Sequence, residues 1–561
     1  MSNNIRSVRE QAAALQIPSF ASSRRGRVVA VIVWSIAMAL VITIGAIYWR
    51  AQGARELLPD EGIYSYIGWA WVSGDVIFRD AWEQKGPVVY AFPALRILLA
   101  GNAPEWVGAQ ELVLGAIAAI AVAATASMLW GSLIGAFVLV LDTVLWTQLS
   151  PKGGLVSTAG CVIAMITTLG VLALVKAMLA RSTRGQRLAL VAFGIAQGLL
   201  FWSRPNAIVT LALAPLLFNA LPRLRAQWLR NASLIAAGVA ISLGGVAVWL
   251  HTRGALPAML DIYFRFGPIR SRLGLEGIGP IGVLRRMFEE YARLALLPTF
   301  ATIGLIGVAV AVRLRRGHAS APLSDSERVA FVIVPFWFGL ELLGYFSSAA
   351  YNHHALPSLP AVALASGWAL HATSDVLTPR VSHLTRCAVV AGLALLLAGR
   401  PLVRAIRMPH GGEKKTDWRR VADVVARTTR PHDRILTITG FAGPAILTTA
   451  KRLSAVPWTF PMPLHARGYV TDSMWARVAD VLDGPQAVQT VIADLMSIPP
   501  TGPGDSTVAW TLKNVDRGLT SDMYQGGESF PNKERVKRLL VQHYAITHCD
   551  QKVCLLSRRK N

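Results

Sequence analysis

Two carboxylates, Asp60 and Glu61, stand side by side just past the first apolar run of the chain. A second group, Asp80 and Glu83 with Lys85, follows in "RDAWEQKGP". At a membrane boundary a carboxylate can take a proton from a hydroxyl nucleophile. Adjacent carboxylates can instead hold a hard divalent cation such as Mg or Mn through oxygen, with Glu61 and Asp80 as the candidate ligands. A lysine or arginine nearby would bind a phosphate and stabilise the charge it gains as a leaving group. Each residue also has an ordinary alternative. Asp60 and Glu61 are loop acids, Asp80 caps a turn, and Lys85 extends its ammonium to lipid headgroups.

Further candidates are scattered. Arg204 lies between two closely spaced apolar segments, where an unpaired charge is costly and a partner or polar cavity is expected. His353 and His354 sit together at a segment end, either as interfacial histidines or in contact with substrate or metal. Lys152 is a weaker candidate of the same kind. Tyr64, Tyr66, Trp69, Trp71 and Trp82 could stack on sugars, but Trp and Tyr ordinarily populate membrane interfaces, and that reading is preferred.

The elements that must position these residues are apolar. Of 561 residues 53% are hydrophobic and 16% charged, with a mean hydropathy of +0.44. Val28 to Tyr48 alone gives about 20 uncharged residues, enough to cross a hydrocarbon core about 30 Å thick. The net charge of +24 fits Lys and Arg gathered in cytoplasmic loops beside anionic headgroups. No basic, aromatic-interleaved module points to nucleic acid. Four cysteines exclude a disulfide-rich scaffold. Cys161 and Cys387 read as packing residues, whereas Cys549 and Cys554 could bridge a hairpin in an oxidising compartment.

The sequence reads as a polytopic α-helical membrane protein with a small α/β tail. A cytoplasmic segment over 1–27 ends in "SRRGR" and leads into a retained anchor. The membrane region is 28–407, with a large first outer loop over 49–105. About 11 spans are expected, near 28–48, 106–129, 131–149, 155–176, 188–203, 205–221, 232–251, 293–312, 329–349, 355–371 and 387–405. Val88 to Gly101, with Pro93 and Arg96, is too short to span and reads as re-entrant or interfacial. The short basic loops then all face the cytoplasm. The acidic clusters, Arg204, the histidines, the long loop from His251 and the tail face outward. In the tail (408–561), Asp417 to Asp433 reads as an amphipathic helix, and Arg434 to Gly440 and Thr490 to Asp494 as strands.

"PDEGIYSYIGWAWVSGDVIFRDAWEQKGPVVYAFPAL" resembles the first outer loop of GT-C glycosyltransferases of the ArnT-like and protein O-mannosyltransferase-like kind. In that family an acidic pair follows the first span. An aromatic stretch, a second acid and a Lys-Pro-Pro-like element with Tyr come next. Asp60 and Glu61 match the pair, Asp80 the second acid, and Lys85-Gly86-Pro87 with Tyr90 the last element, where Gly86 departs from the usual proline. "YNHHALPSLPAVALASG" is similar to the family's late segment, and "SPKGGLVS" departs from its acidic turn. The resemblance implies an inverting transferase that moves a sugar from a polyprenyl-phosphate donor to an envelope acceptor (lipid, glycan or protein). It would sit in a bacterial-type inner membrane among membrane lipids. Asp60 would be the base, and Glu61, Asp80, Lys85, Tyr90, Arg204, His353 and His354 would bind substrate. A flippase or transporter is the alternative, since intramembrane charges also suit a transport path.

Overall fold

The structure, a computed structural model of the chain, describes residues 24–52, 57, 59–148, 158–275, 324–346, 356–377, 417–438, 442–460, 462–484, 486–494, 530–550 and 553–559, with a few isolated positions elsewhere. Lys152, His353, His354 and the predicted span 293–312 lie outside the described residues, as does nearly all of 387–405.

The apolar runs form helices α1 (Arg24–Gln52), α4 (Glu105–Trp130), α5 (Ser132–Gln148), α6 (Thr158–Leu179), α7 (Thr183–Phe201), α8 (Leu213–Ala220), α9 (Trp228–Thr252), α10 (Asp325–Phe346) and α11 (Leu359–Leu377). Among the described residues, stretches in four of them are long and apolar enough to cross a membrane: Val31–Trp49, Glu105–Trp130, Thr158–Leu179 and Trp228–Thr252. The expected count of about 11 is therefore not reached there. Two departures have local causes. Arg184 and Arg187 take up the first turns of α7, which shortens its apolar stretch. The predicted span 205–221 begins as a 3₁₀ helix (Pro205–Ala212), because Pro205 brings no N–H with which to continue α7. Where α7 crosses α9, Gly194 and Gly238 let the backbones meet. A Cβ on Gly194 would fall 2.2 Å from the Ile235 carbonyl, the small-residue contact by which membrane helices associate.

The predicted outer loop 49–105 is largely helical. It holds α2 (Pro59–Val72) and α3 (Pro87–Ala100). Pro59 opens α2, and Asp60 and Glu61 occupy its first turn, where carboxylates favour the positive end of the helix. The helix is apolar on every side beyond them, so it is buried: Ile63, Tyr64, Tyr66 and Ile67 are all enclosed. With 14 residues, α3 is about 21 Å long, short of a hydrocarbon core. It buries Val89 and Tyr90 while exposing Leu95, Leu98 and Leu99. Up to Leu275, the described part of the long loop expected from His251 is also helical, as Leu256–Asp261, a π turn (Ile262–Phe266) and Gly267–Leu275.

The tail forms a five-stranded mixed sheet in the order β2-β1-β3-β5-β4. The strands β1 (Arg434–Ile438), β2 (Leu453–Ser454) and β3 (Thr490–Asp494) are parallel. The hairpin of β4 (Tyr544–Asp550) and β5 (Val553–Arg558) joins β3 antiparallel. Helices α12 (Asp417–Thr428), α13 (Ala442–Ala450), α14 (Asp472–Leu482) and α15 (Pro531–His543) accompany the sheet. The predicted amphipathic helix and both predicted strands are present here. Cys549 and Cys554, facing one another across the hairpin, are joined by a disulfide.

The tail is seated on α2 and the loop after it. Gly62 packs directly on Ala445, with room for no side chain, and Gly68 does the same against Pro93 of α3. Asp75, itself buried, receives both terminal nitrogens of Arg434, at 3.2 and 2.6 Å. The Ser454 N–H donates to the Tyr66 hydroxyl (2.9 Å), and the Trp82 N–H to the Pro457 carbonyl (2.9 Å). Tyr66 and Trp82 share one apolar cluster with Val456 and Phe460 of the tail.

Candidate active site

Asp60 is half-buried at the start of α2. Burial pushes its carboxyl above the usual carboxylate range, against the opposing pull of Lys85 and Arg270. Lys85, only 9% exposed, precedes α3. Its ammonium is pushed down to about 8, first by burial and then by repulsion from Arg270 and Arg204, while Glu83 and Asp60 act the other way. Arg204, half-buried at the turn after α7, is lowered to about 10 by burial and by Arg270, with Tyr64 and Glu341 opposing. Lys85, Arg204 and Arg270, from three distant stretches, thus act on one another, with Asp60 and Glu83 acting on Lys85 and Glu341 on Arg204. Such mutual repulsion is relieved when a bound anion enters, as in a phosphate site.

The backbone around Lys85 is held tightly. Its N–H donates to Glu83 Oε2 at 2.7 Å, and the Tyr90 hydroxyl donates to the same oxygen. Gly86 donates to the Ser203 carbonyl at 3.0 Å. A Cβ on Gly86 would fall 1.6 Å from the Trp202 carbonyl and 2.1 Å from the Tyr263 hydroxyl. A proline would both clash and lose the donated N–H. The departure noted in the sequence therefore has a steric cause: this chain brings the turn after α7 against Gly86, which ties Arg204 to Lys85.

The other sequence candidates divide. Tyr90 is fully buried with its hydroxyl engaged by Glu83, so it shapes the loop around Lys85. Asp80 closes a turn. Its Oδ2 accepts from the Val76 N–H (2.9 Å) and Arg79 Nη2 (2.7 Å), its Oδ1 from Arg79 Nε (3.0 Å), and the Arg79 hydrogen bond holds it below the usual range. Glu61 is 1% exposed and acts electrostatically on Arg96. Of the candidate ligand pair Glu61 and Asp80, the Asp80 oxygens are engaged by Arg79 and the Val76 N–H. Among the described residues, no group of three or more His, Cys, Asp or Glu side chains gathers that could hold one.

Two residues escaped the sequence reading. Arg270 stands in the helix that replaces the expected loop, far along the chain from Lys85, and no spacing announces it. Glu341 did carry a signal, a single carboxylate deep in the apolar helix α10; it accepts from Trp337 Nε1 at 3.1 Å and acts on Arg204.

With the helices, the seated tail and this cluster in view, the chain has the GT-C fold of membrane glycosyltransferases. Among solved structures it is similar to ArnT from Cupriavidus metallidurans bound to undecaprenyl phosphate, with 13% identity, 95% of this chain and 98% of that one covered, and a TM-score of 0.57. The apo state of the same enzyme gives 13% identity, 93% and 97% coverage and 0.58. The Archaeoglobus fulgidus oligosaccharyltransferase in complex with Zn and sulfate gives 13%, 90% and 71% coverage, and 0.50. What is shared at such identity is the fold. No family model matches the chain, and no curated protein sequence matches it.

Proposed function

We propose that the protein is an integral-membrane glycosyltransferase that takes a sugar from a polyprenyl-phosphate donor. Asp60 deprotonates an acceptor hydroxyl, which attacks the anomeric carbon as the bond to the lipid phosphate breaks, inverting the configuration. Lys85, Arg204 and Arg270 hold the phosphate and stabilise the charge it gains. One observation carries the reading: the Gly86 N–H donates to the Ser203 carbonyl at 3.0 Å, which sets the Lys85 loop against the Arg204 turn, where Arg270 and Asp60 also act on Lys85. The likeness in fold to ArnT adds weight and does not favour the transporter alternative.

The proposed setting is a bacterial-type inner membrane with the site and tail on the extracytoplasmic face. The short basic loops support that orientation, and so does the Cys549–Cys554 disulfide. The acceptor is an envelope lipid, glycan or protein. The test is transfer of radiolabelled sugar from polyprenyl phosphate by purified protein in lipid nanodiscs. Asp60→Asn is expected to lower the rate about 10²- to 10⁴-fold without changing insertion. Undiminished transfer in that variant would remove Asp60 as the base.

A further inference from the structure

Tyr469 stands in the turn before α14 of the tail and is 5% exposed, yet its hydroxyl serves other parts of the molecule. It donates to Asp261 Oδ2 at 2.7 Å and accepts from Trp82 Nε1 of the first loop at 3.4 Å. Its ring lies against Phe266, with centroids 4.9 Å apart, and the Arg265 guanidinium covers it at 5.2 Å. Phe266 in turn meets Trp82 edge-on at 4.8 Å. One tail side chain thus joins the first loop to the π turn Ile262–Phe266 and to Asp261 before it.

The turn has a local cause. Pro268 has no N–H to give back, and its ring crowds the Phe264 carbonyl four residues earlier. The helix widens there, and the Gly267 N–H reaches back to the Ile262 carbonyl. Such widened turns are rare and gather at functional sites. Tyr263 holds this one from the membrane side, its hydroxyl donating to the Phe201 carbonyl at 3.2 Å. Tyr469 holds it from the tail. Arg270 follows Phe266 by one helical turn, and Lys85 follows Trp82 by three residues, so the contact of Phe266 with Trp82 sets where Arg270 stands relative to Lys85. The hydroxyl bond matters most among these links. The Asp261–Arg265 pair is 3.6 Å apart with side chains 39% and 51% exposed, so solvent screens it and it contributes little. The bond from the buried Tyr469 to the Asp261 carboxylate is short and charge-assisted.

We infer that Tyr469 is a positioning residue for the donor half of the site: its hydroxyl bond to Asp261 and its ring against Phe266 hold the π turn, and with it Arg270, at the Lys85 loop. The tail thereby acts on the donor, through Arg270. This rests on the reading of Lys85, Arg204 and Arg270 as a phosphate site, so the test has one arm independent of it.

Full-length protein in nanodiscs is compared with Tyr469→Phe, which keeps the ring and removes the hydroxyl. Amide hydrogen exchange over 262–267 needs no substrate. It is expected to quicken about tenfold in the variant, with exchange over β3 unchanged. Affinity for undecaprenyl phosphate should fall about tenfold, while kcat stays within about threefold because Asp60 is untouched. Asp261→Asn, which keeps an oxygen to accept from the hydroxyl, should move both readouts the same way by less. In an Arg270→Ala background Tyr469→Phe should cost no further affinity, as expected of residues that act through one contact. Unchanged exchange over 262–267 overturns the hold on the turn. Additive losses in the double variant overturn the route through Arg270 and leave Tyr469 a general support of the tail. Native affinity in Arg270→Ala alone would remove the phosphate reading and the positioning role with it, while exchange would still judge the hold on the turn.

Discussion

At the scale of the residue, two displaced ionisations set a pH dependence. Asp60 serves as a base only when ionised, and its raised carboxyl loses that form at a higher pH than an ordinary aspartate would. Lys85 holds phosphate only when protonated, and it loses its proton near 8. The profile of kcat/KM, which reports the free enzyme, should therefore rise from the acid side and fall as pH passes about 8. Lys85→Arg should carry the alkaline limb out of range, because a guanidinium stays charged. Arg270→Ala has a less obvious sign. It removes a repulsion that lowers Lys85, so the alkaline limb should move up even as donor KM rises. A native profile with no alkaline limb, or an Arg270→Ala limb that moves down, would contradict this electrostatic account. Arg204 was visible in the sequence as a charge between two apolar runs, and Lys85 as the cation beside the second acidic group. Arg270 was not, because its part depends on a contact between segments far apart in the chain.

At the scale of the element, the site depends on close backbone approach. Gly86→Ala puts a methyl group where the Trp202 carbonyl lies, and neither backbone can retreat without moving Arg204 or Lys85. The overpacking should cost about 3 kcal/mol and lower the melting temperature at a fixed scan rate, with donor binding lost alongside. A variant that melts and binds as the native protein does would show that the turn is looser than described. The seat of the tail is the second element. Arg434→Ala leaves the buried Asp75 without its bidentate partner. Because the Arg434 side chain is 46% exposed, solvent screening limits the cost to about 1–2 kcal/mol. Limited proteolysis should then cut between the loop and β1 faster than in the native protein. The helices of the first loop were only partly legible. Pro59 and Pro87 mark their starts, but the aromatic, uniformly apolar α2 shows no amphipathic period because it is covered on all sides.

At the scale of the whole molecule, the hairpin disulfide and the acidic cluster belong on one side of the membrane, since the tail rests on α2. In intact cells a membrane-impermeant thiol reagent should label the exposed Cys549 only after reduction of its disulfide. Failure to label after reduction would place the tail, and the site with it, in the cytoplasm. The sequence by itself determined the main apolar helices, two of the five strands and the amphipathic helix of the tail, and the charged residues from which a site could be drawn. These follow from local composition and periodicity, which the chain carries wherever it folds. Tertiary structure alone decided that Arg270 joins Lys85 and Arg204, that Asp80 is spent on a turn, and that Asp60 acts on Lys85 but Glu61 on Arg96. Which way a side chain points is set by the rotation of its helix against neighbours distant in sequence, and for that packing adjacency in the chain is no guide.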